Sequence, residues 1–166
     1  AKCGAAARPA LEAMIEALQD EVPEVRAAAA MALGHLALEP DTVLPKLIEL
    51  FDDQAIVQAD NVVGEVWYFA GIAAGNYGDV VVPSLIELLK NGDARQRIGA
   101  SLSICVLGPA AKDVLPALLE ALRSSDLDTR RPAPMSALLS LGPEAKPAMP
   151  LMLEFLDDPD FHTQYW

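Results

Sequence analysis

The chain has 166 residues and is 52% hydrophobic but only 5% aromatic, so its apolar content is mostly Ala, Leu, Val and Ile. That length suits one domain burying roughly 70% of its unfolded surface, and the composition favours helices packed on small side chains. Twenty-four Asp and Glu against 12 Lys and Arg give a net charge of −12. This sign argues against nucleic acid and an anionic membrane as partners and leaves basic proteins open. Cys3 and Cys105 are too few for a disulfide framework and match no zinc spacing, so free thiols in a reducing, cytoplasmic setting are expected. No apolar run approaches the ~18 residues that span a bilayer. Ala1-Lys2-Cys3-Gly4 has neither an initiator Met nor the order of a signal peptide, and the expectation is a fragment or processed product.

Five copies of one unit run along the chain, with marks at Glu12, Pro45, Pro83, Pro116 and Pro150. One position before the marks stand Leu11, Leu44, Val82, Leu115 and Met149; two after stand Met14, Leu47, Leu85, Leu118 and Met152. Three after come Ile15, Ile48, Ile86, Leu119 and Leu153, and six after come Leu18, Phe51, Leu89, Leu122 and Leu156. Four after, every copy carries a glutamate: Glu16, Glu49, Glu87, Glu120 and Glu154. These offsets place an apolar stripe on one face of a helix A, with the glutamate on its flank. A proline inside such a helix predicts a kink.

A second helix, B, follows in each unit, giving repeats of about 9–39, 40–78, 79–111, 112–145 and an incomplete 146–166 within a single domain over 1–166. In repeat one its apolar positions are Ala29, Leu33 and Leu36; in repeat three, Ala100, Ile104 and Leu107. Gly34, Gly108 and Gly142 are expected at helix exits. Pro109 and Pro143 suit a first turn, and Pro132 and Pro134 shorten the fourth B helix. Repeat two is the odd copy, about five residues longer, with Gly75–Asp79 as its expected loop. Its B helix is predicted over about 57–73 and holds Trp67, Tyr68 and Phe69. Gly64, Gly71 and Gly75 follow Asp60 near one side of it.

The repeat resembles HEAT repeats, including the bacterial HEAT-like group to which bilin-attaching lyases belong. The likeness rests on the helix-A proline, a turn Asp (Asp93, Asp126, Asp160) and an Arg entering helix B (Arg26, Arg97, Arg130), over roughly residues 9–160. It implies an all-α, right-handed α-solenoid of about 4.5 helix-pair repeats, and it implies that these charges form a ladder between repeats. Repeat two departs from it, with Ala55 and Ala59 at the ladder positions.

Two readings of repeat two stand open. Either Trp67 and Tyr68 anchor a partner in a B-helix groove with Asp60, Asn61 and Glu65 as polar contacts, or the glycines admit a neighbouring helix and the aromatics fill the gap. Asp52-Asp53 and Asp157-Asp158 read as helix-end partners, not as a cation site, and His35 and His162 lie far apart. No phosphate loop or nucleophile elbow occurs, and no catalytic residue, metal site or cofactor is expected. The function expected is a non-catalytic scaffold binding a protein or peptide, preferably basic. The alternatives are a lyase-like chromophore-handling protein and a structural segment of a longer solenoid. Phe161, Tyr165 and Trp166 near the end predict self-association or a docked neighbour.

Overall fold

The computed structural model describes residues 4–59, 62–123 and 132–156. The chain divides into two compact units, Ala1–Val81 and Val82–Trp166. In the first, α1 (Gly4–Ala17) pairs with α2 (Pro23–Leu36). The second pair is α3 (Pro40–Glu49) and α4 (Val66–Gly75), and between them lie two short strands, β1 (Ile56–Ala59) and β2 (Val62–Glu65). The second unit contains α5 (Val82–Asn91), α6 (Ala94–Leu107), α7 (Leu115–Arg123), α8 (Pro132–Ser140) and α9 (Met149–Leu156).

The B helices carry each unit: α2 packs most extensively on α4, and α6 on α8. Leu33, Ala30, Ala70, Ala73 and Ala74 are sealed in the first stack, and Ala100, Ile104, Ala137 and Leu138 in the second. The helix-A stripe is narrower than the sequence predicts. Leu11, Leu18, Leu44, Leu47, Phe51, Leu85, Leu89, Leu118 and Leu122 are buried, but Ile15, Ile48, Ile86 and Leu119 are half-buried and Leu153 is exposed. All five glutamates of the repeat, expected on the flank of the stripe, are exposed.

The prolines act differently from the expected kinks. Pro83, Pro116 and Pro150 are each the second residue of their helix, where the absent N–H has no intrahelical partner to lose, whereas Pro45 stands inside one. A 3₁₀ turn leads into each of α5, α7 and α9. Pro132 opens α8 and holds it to 9 residues against 14 for α6, as predicted. Gly108 and Gly142 take positive φ at the helix exits. Gly34 does not: α2 runs past it and stops at Ala37, itself left-handed at φ 46, whose N–H bonds the Leu33 carbonyl. Gly34 is instead the point of closest approach between two helices, for a Cβ there would lie 2.5 Å from Ala73 Cα.

One stretch, Ala94–Arg123, reaches a mean hydropathy of 1.6 over an 18-residue window. It is broken at Gly108 (φ 59, ψ −138).

Candidate functional site

Repeat two departs from the expected continuous helix over 57–73. Ile56–Ala59 pairs antiparallel with Val62–Glu65, and the helix starts only at Val66. The reason is local: Ile56, Val57, Val62 and Val63 are β-branched residues that suit a pleated strand, and the strands they begin are two residues apart, the spacing of a tight hairpin. The extra length of this repeat therefore sits between its A and B helices, and α4 is 10 residues long where α2 has 14. The segment after α4, expected as a loop, is pinned: Tyr77 is buried and its hydroxyl donates to the Leu38 carbonyl at 3.0 Å. Burial pushes the Tyr77 phenol up to about 12.

The register fixes what the hairpin presents. The Val66 N–H bonds the Ala55 carbonyl at 3.1 Å, continuing the ladder whose partners run Ile56↔Glu65, Val57↔Gly64, Gln58↔Val63 and Ala59↔Val62. Hydrogen-bonded and non-bonded pairs alternate in such a ladder. The main-chain groups of Ile56, Gln58, Val63 and Glu65 therefore point away from the partner strand. On the β1 side the protein closes its own edge, because the Gln58 N–H donates to Glu24 Oε1 at 3.2 Å. That bond, followed by Glu24's own N–H, holds the Glu24 carboxyl below the ordinary carboxylate range.

Of the five residues expected at this site, Glu65, Trp67 and Tyr68 are brought together. Trp67 Nε1 donates to Glu65 Oε2 at 2.5 Å. Trp67 and Tyr68 meet edge to face at 6.0 Å, as do Tyr68 and Phe69 at 5.7 Å. Tyr68 is 43% exposed and Trp67 half-buried, whereas Phe69 packs on Gly64, whose added Cβ would touch its ring at 3.2 Å. Both sequence readings thus find residues that fit them: Phe69 fills the space a glycine leaves, and Trp67 and Tyr68 form a rim. Asp60 and Asn61 lie outside the described residues.

Of the residues expected in the ladder, Arg26 pairs with a residue outside that set. Arg26 Nε and Nη2 reach Asp53 Oδ2 and Oδ1 at 2.6 and 3.1 Å, and Nη1 donates to the Asp20 carbonyl at 2.7 Å. A two-pronged pair of this geometry is among the stronger polar contacts. It ties helix B of repeat one to the turn of repeat two through an Asp two places earlier than the pattern predicts. Asp93 instead caps its own helix, accepting from the Arg95 and Gln96 N–H groups while Gln96 answers to the Asp93 N–H. Arg97 has no ion-pair partner among the described residues. Asp126, Arg130 and Asp160 lie outside them, as do Asp157, Asp158, His162 and the terminal aromatics Phe161, Tyr165 and Trp166. Exposed His35 has Nδ1 2.7 Å from the Met31 carbonyl.

Charge divides unevenly between the units. Residues 1–81 hold thirteen acidic and four basic residues, net −9, and residues 82–166 eleven and eight, net −3. In the first unit Glu12, Glu16 and Glu39 rim a groove of about 390 Å³ floored by Leu11 and Ile15. In the second, Lys90, Arg97 and Arg123 with Glu120 line one of about 420 Å³. No trio of His, Cys, Asp or Glu able to hold a metal gathers among the described residues. The Cys105 thiol is pushed up by burial, against a hydrogen bond with Ser140 that lowers it.

The helix pairs fit an all-α solenoid, and residues 2–61 match the family profile for HEAT repeats. Among solved structures the chain is similar to one in the complex of CpcE and CpcF of phycocyanin lyase from Nostoc sp. PCC7120, with 29% identity and a TM-score of 0.55. The similarity covers 90% of this chain and 59% of that one, so this chain spans little more than half the length of its neighbour. No curated protein matches the sequence.

Proposed function

We propose that this protein is a non-catalytic interaction module whose first unit receives a basic segment of a partner protein at the surface formed by Glu65, Trp67 and Tyr68. The observation that carries this reading is the exposed aromatic rim on the more acidic unit. Half-exposed Trp and Tyr supply large contact area at small entropic cost, and a net charge of −9 over residues 1–81 selects for positive partners. The solved neighbour belongs to a complex of two chains, which supports a role exercised in assembly. The test is binding of basic peptides to the full chain by isothermal titration. Glu65→Ala, Trp67→Ala and Tyr68→Ala combined should weaken it at least tenfold, and equal binding by the triple variant refutes the site.

A second reading follows from the same neighbour, whose complex is of a phycocyanin lyase. Lys90, Arg97 and Arg123 give the second unit a groove suited to an anionic ligand, and a carboxylate-bearing tetrapyrrole has that chemistry. Mixing the protein with a bilin should then shift the visible absorbance, and an unchanged spectrum removes this reading.

A further inference from the structure

The two edges of the hairpin between α3 and α4 differ among the described residues: on β1 an outward N–H is taken by a side chain, and on β2 none is. On β1, the outward Gln58 N–H is taken by Glu24, and Arg26 locks the adjoining turn through Asp53. On β2, Val63 turns its N–H and carbonyl outward, and no described residue bonds them. Proteins blunt such edges with Lys, Pro, a bulge or a free charge. Here β2 is Val-Val-Gly-Glu, and its single charge is held to the Trp67 indole. On the face it shares with Gln58 and Glu65, Val63 is 76% and Ile56 59% exposed.

We infer that the β2 edge accepts an extended, lysine- or arginine-bearing segment of a partner, which adds as a third strand beside Val62–Glu65. The inference rests on the interaction-module reading and deepens it by naming the mode of recognition. Main-chain hydrogen bonds to Val63 and Glu65 supply the register, and the partner's own β-branched residues cover Val63 and Ile56. Charge selects the occupant: a second copy would bring another net −9 to the edge, whereas a basic strand meets a favourable field.

The probe is an acetylated, amidated peptide of about eight alternating valines and lysines, long enough to cover a strand of ordinary length. It is titrated into the full chain at low salt and followed by amide chemical shifts. The expected result is saturable binding with shifts centred on Val63 and Glu65. A peptide of identical side chains and charge, N-methylated on alternate residues so that one edge cannot donate, should bind at least tenfold more weakly. Val63→Pro should do the same to the unmodified peptide.

Equal binding by the methylated peptide overturns strand addition and leaves the acidic-surface reading standing, since only the protein–peptide main-chain bonds differ. Absence of any binding at low salt overturns both. Self-association without peptide that Val63→Pro abolishes, read by sedimentation, overturns the basic partner in favour of a second copy. The methylated peptide leaves the protein untouched, so the test survives a Val63→Pro variant that fails to fold.

Discussion

Replacing Gly34 with alanine should destabilise the first unit, against the preference of helices for alanine. On an open helix surface a Gly→Ala change gains about 1 kcal/mol. At this position the new Cβ would stand 2.5 Å from Ala73 Cα, 2.8 Å from its Cβ and 2.9 Å from its carbonyl oxygen. Apolar atoms rest about 3.5–4.0 Å apart, so α2 and α4 must separate by about 1 Å, and the resisting atoms are mostly backbone. Overpacking of this kind costs about 1–3 kcal/mol, and with the backbone resisting the upper half of that range applies. The net loss is about 1–2 kcal/mol, a fall in the urea midpoint of about 1 M at a typical denaturant slope near 1.5 kcal/mol per M.

Far-UV circular dichroism through a urea titration measures it. Ala28→Gly, at an exposed position of the same helix, should cost about 1 kcal/mol by propensity alone. Adding Ala73→Gly to Gly34→Ala should recover only part of the loss, because Ala73 Cα and oxygen stay in place. A Gly34→Ala protein more stable than the parent would refute the close approach of α2 and α4.

Three further outcomes are expected. Asp53→Ala removes both prongs of the Arg26 pair and the Oδ1 that accepts from the Ala55 N–H; it should cost about 2 kcal/mol in urea unfolding, twice the ~1 kcal/mol of losing the Asp93 cap by Asp93→Ala. Ala37→Gly relieves a left-handed alanine worth about 1–2 kcal/mol, less about 0.4–1 kcal/mol of unfolded-chain entropy, so thermal unfolding should rise by a few degrees. Tyr77 has its folded-state value raised to about 12 from 10.0. Its contribution is therefore complete below pH 10 and is lost as pH rises from about 10 to about 12. Ultraviolet difference titration should show one tyrosine ionising late, and Tyr77→Phe should flatten stability over that window.

The helix-A pattern was legible because one helix face repeats its apolar residue types in every copy, and Leu47, Leu85 and Leu118, at one position of the unit, are buried alike. Helix B was harder. Its interior is Ala and Gly, as at Gly34 and Ala73, and such small residues report close packing only when the opposing helix is known. In repeat two, Trp67, Tyr68 and Phe69 lie on the helix that the sequence predicts over 57–73, but it begins only at Val66. The signal against the earlier start was present in Ile56-Val57 and Val62-Val63, two β-branched runs separated by four residues. Glu65, Trp67 and Tyr68 were found from their residue types. Glu24 and Asp53 were not, since their partners Gln58 and Arg26 lie 34 and 27 residues away and no local spacing links them.

The unequal division of charge sets the kinetics of any encounter. On the proposed reading, a positively charged segment would be drawn to residues 1–81 before touching them, since fields of this kind raise association rates by about 10–10³-fold and fade within a screening length of about 10 Å at 0.1 M salt. The lifetime of the complex answers to short-range contacts that salt scarcely reaches. On the same proposal, capture and retention would be separately adjustable: neutralising carboxylates outside the site, such as Glu12 or Glu16, should slow arrival, and altering Val63 or Trp67 should hasten departure.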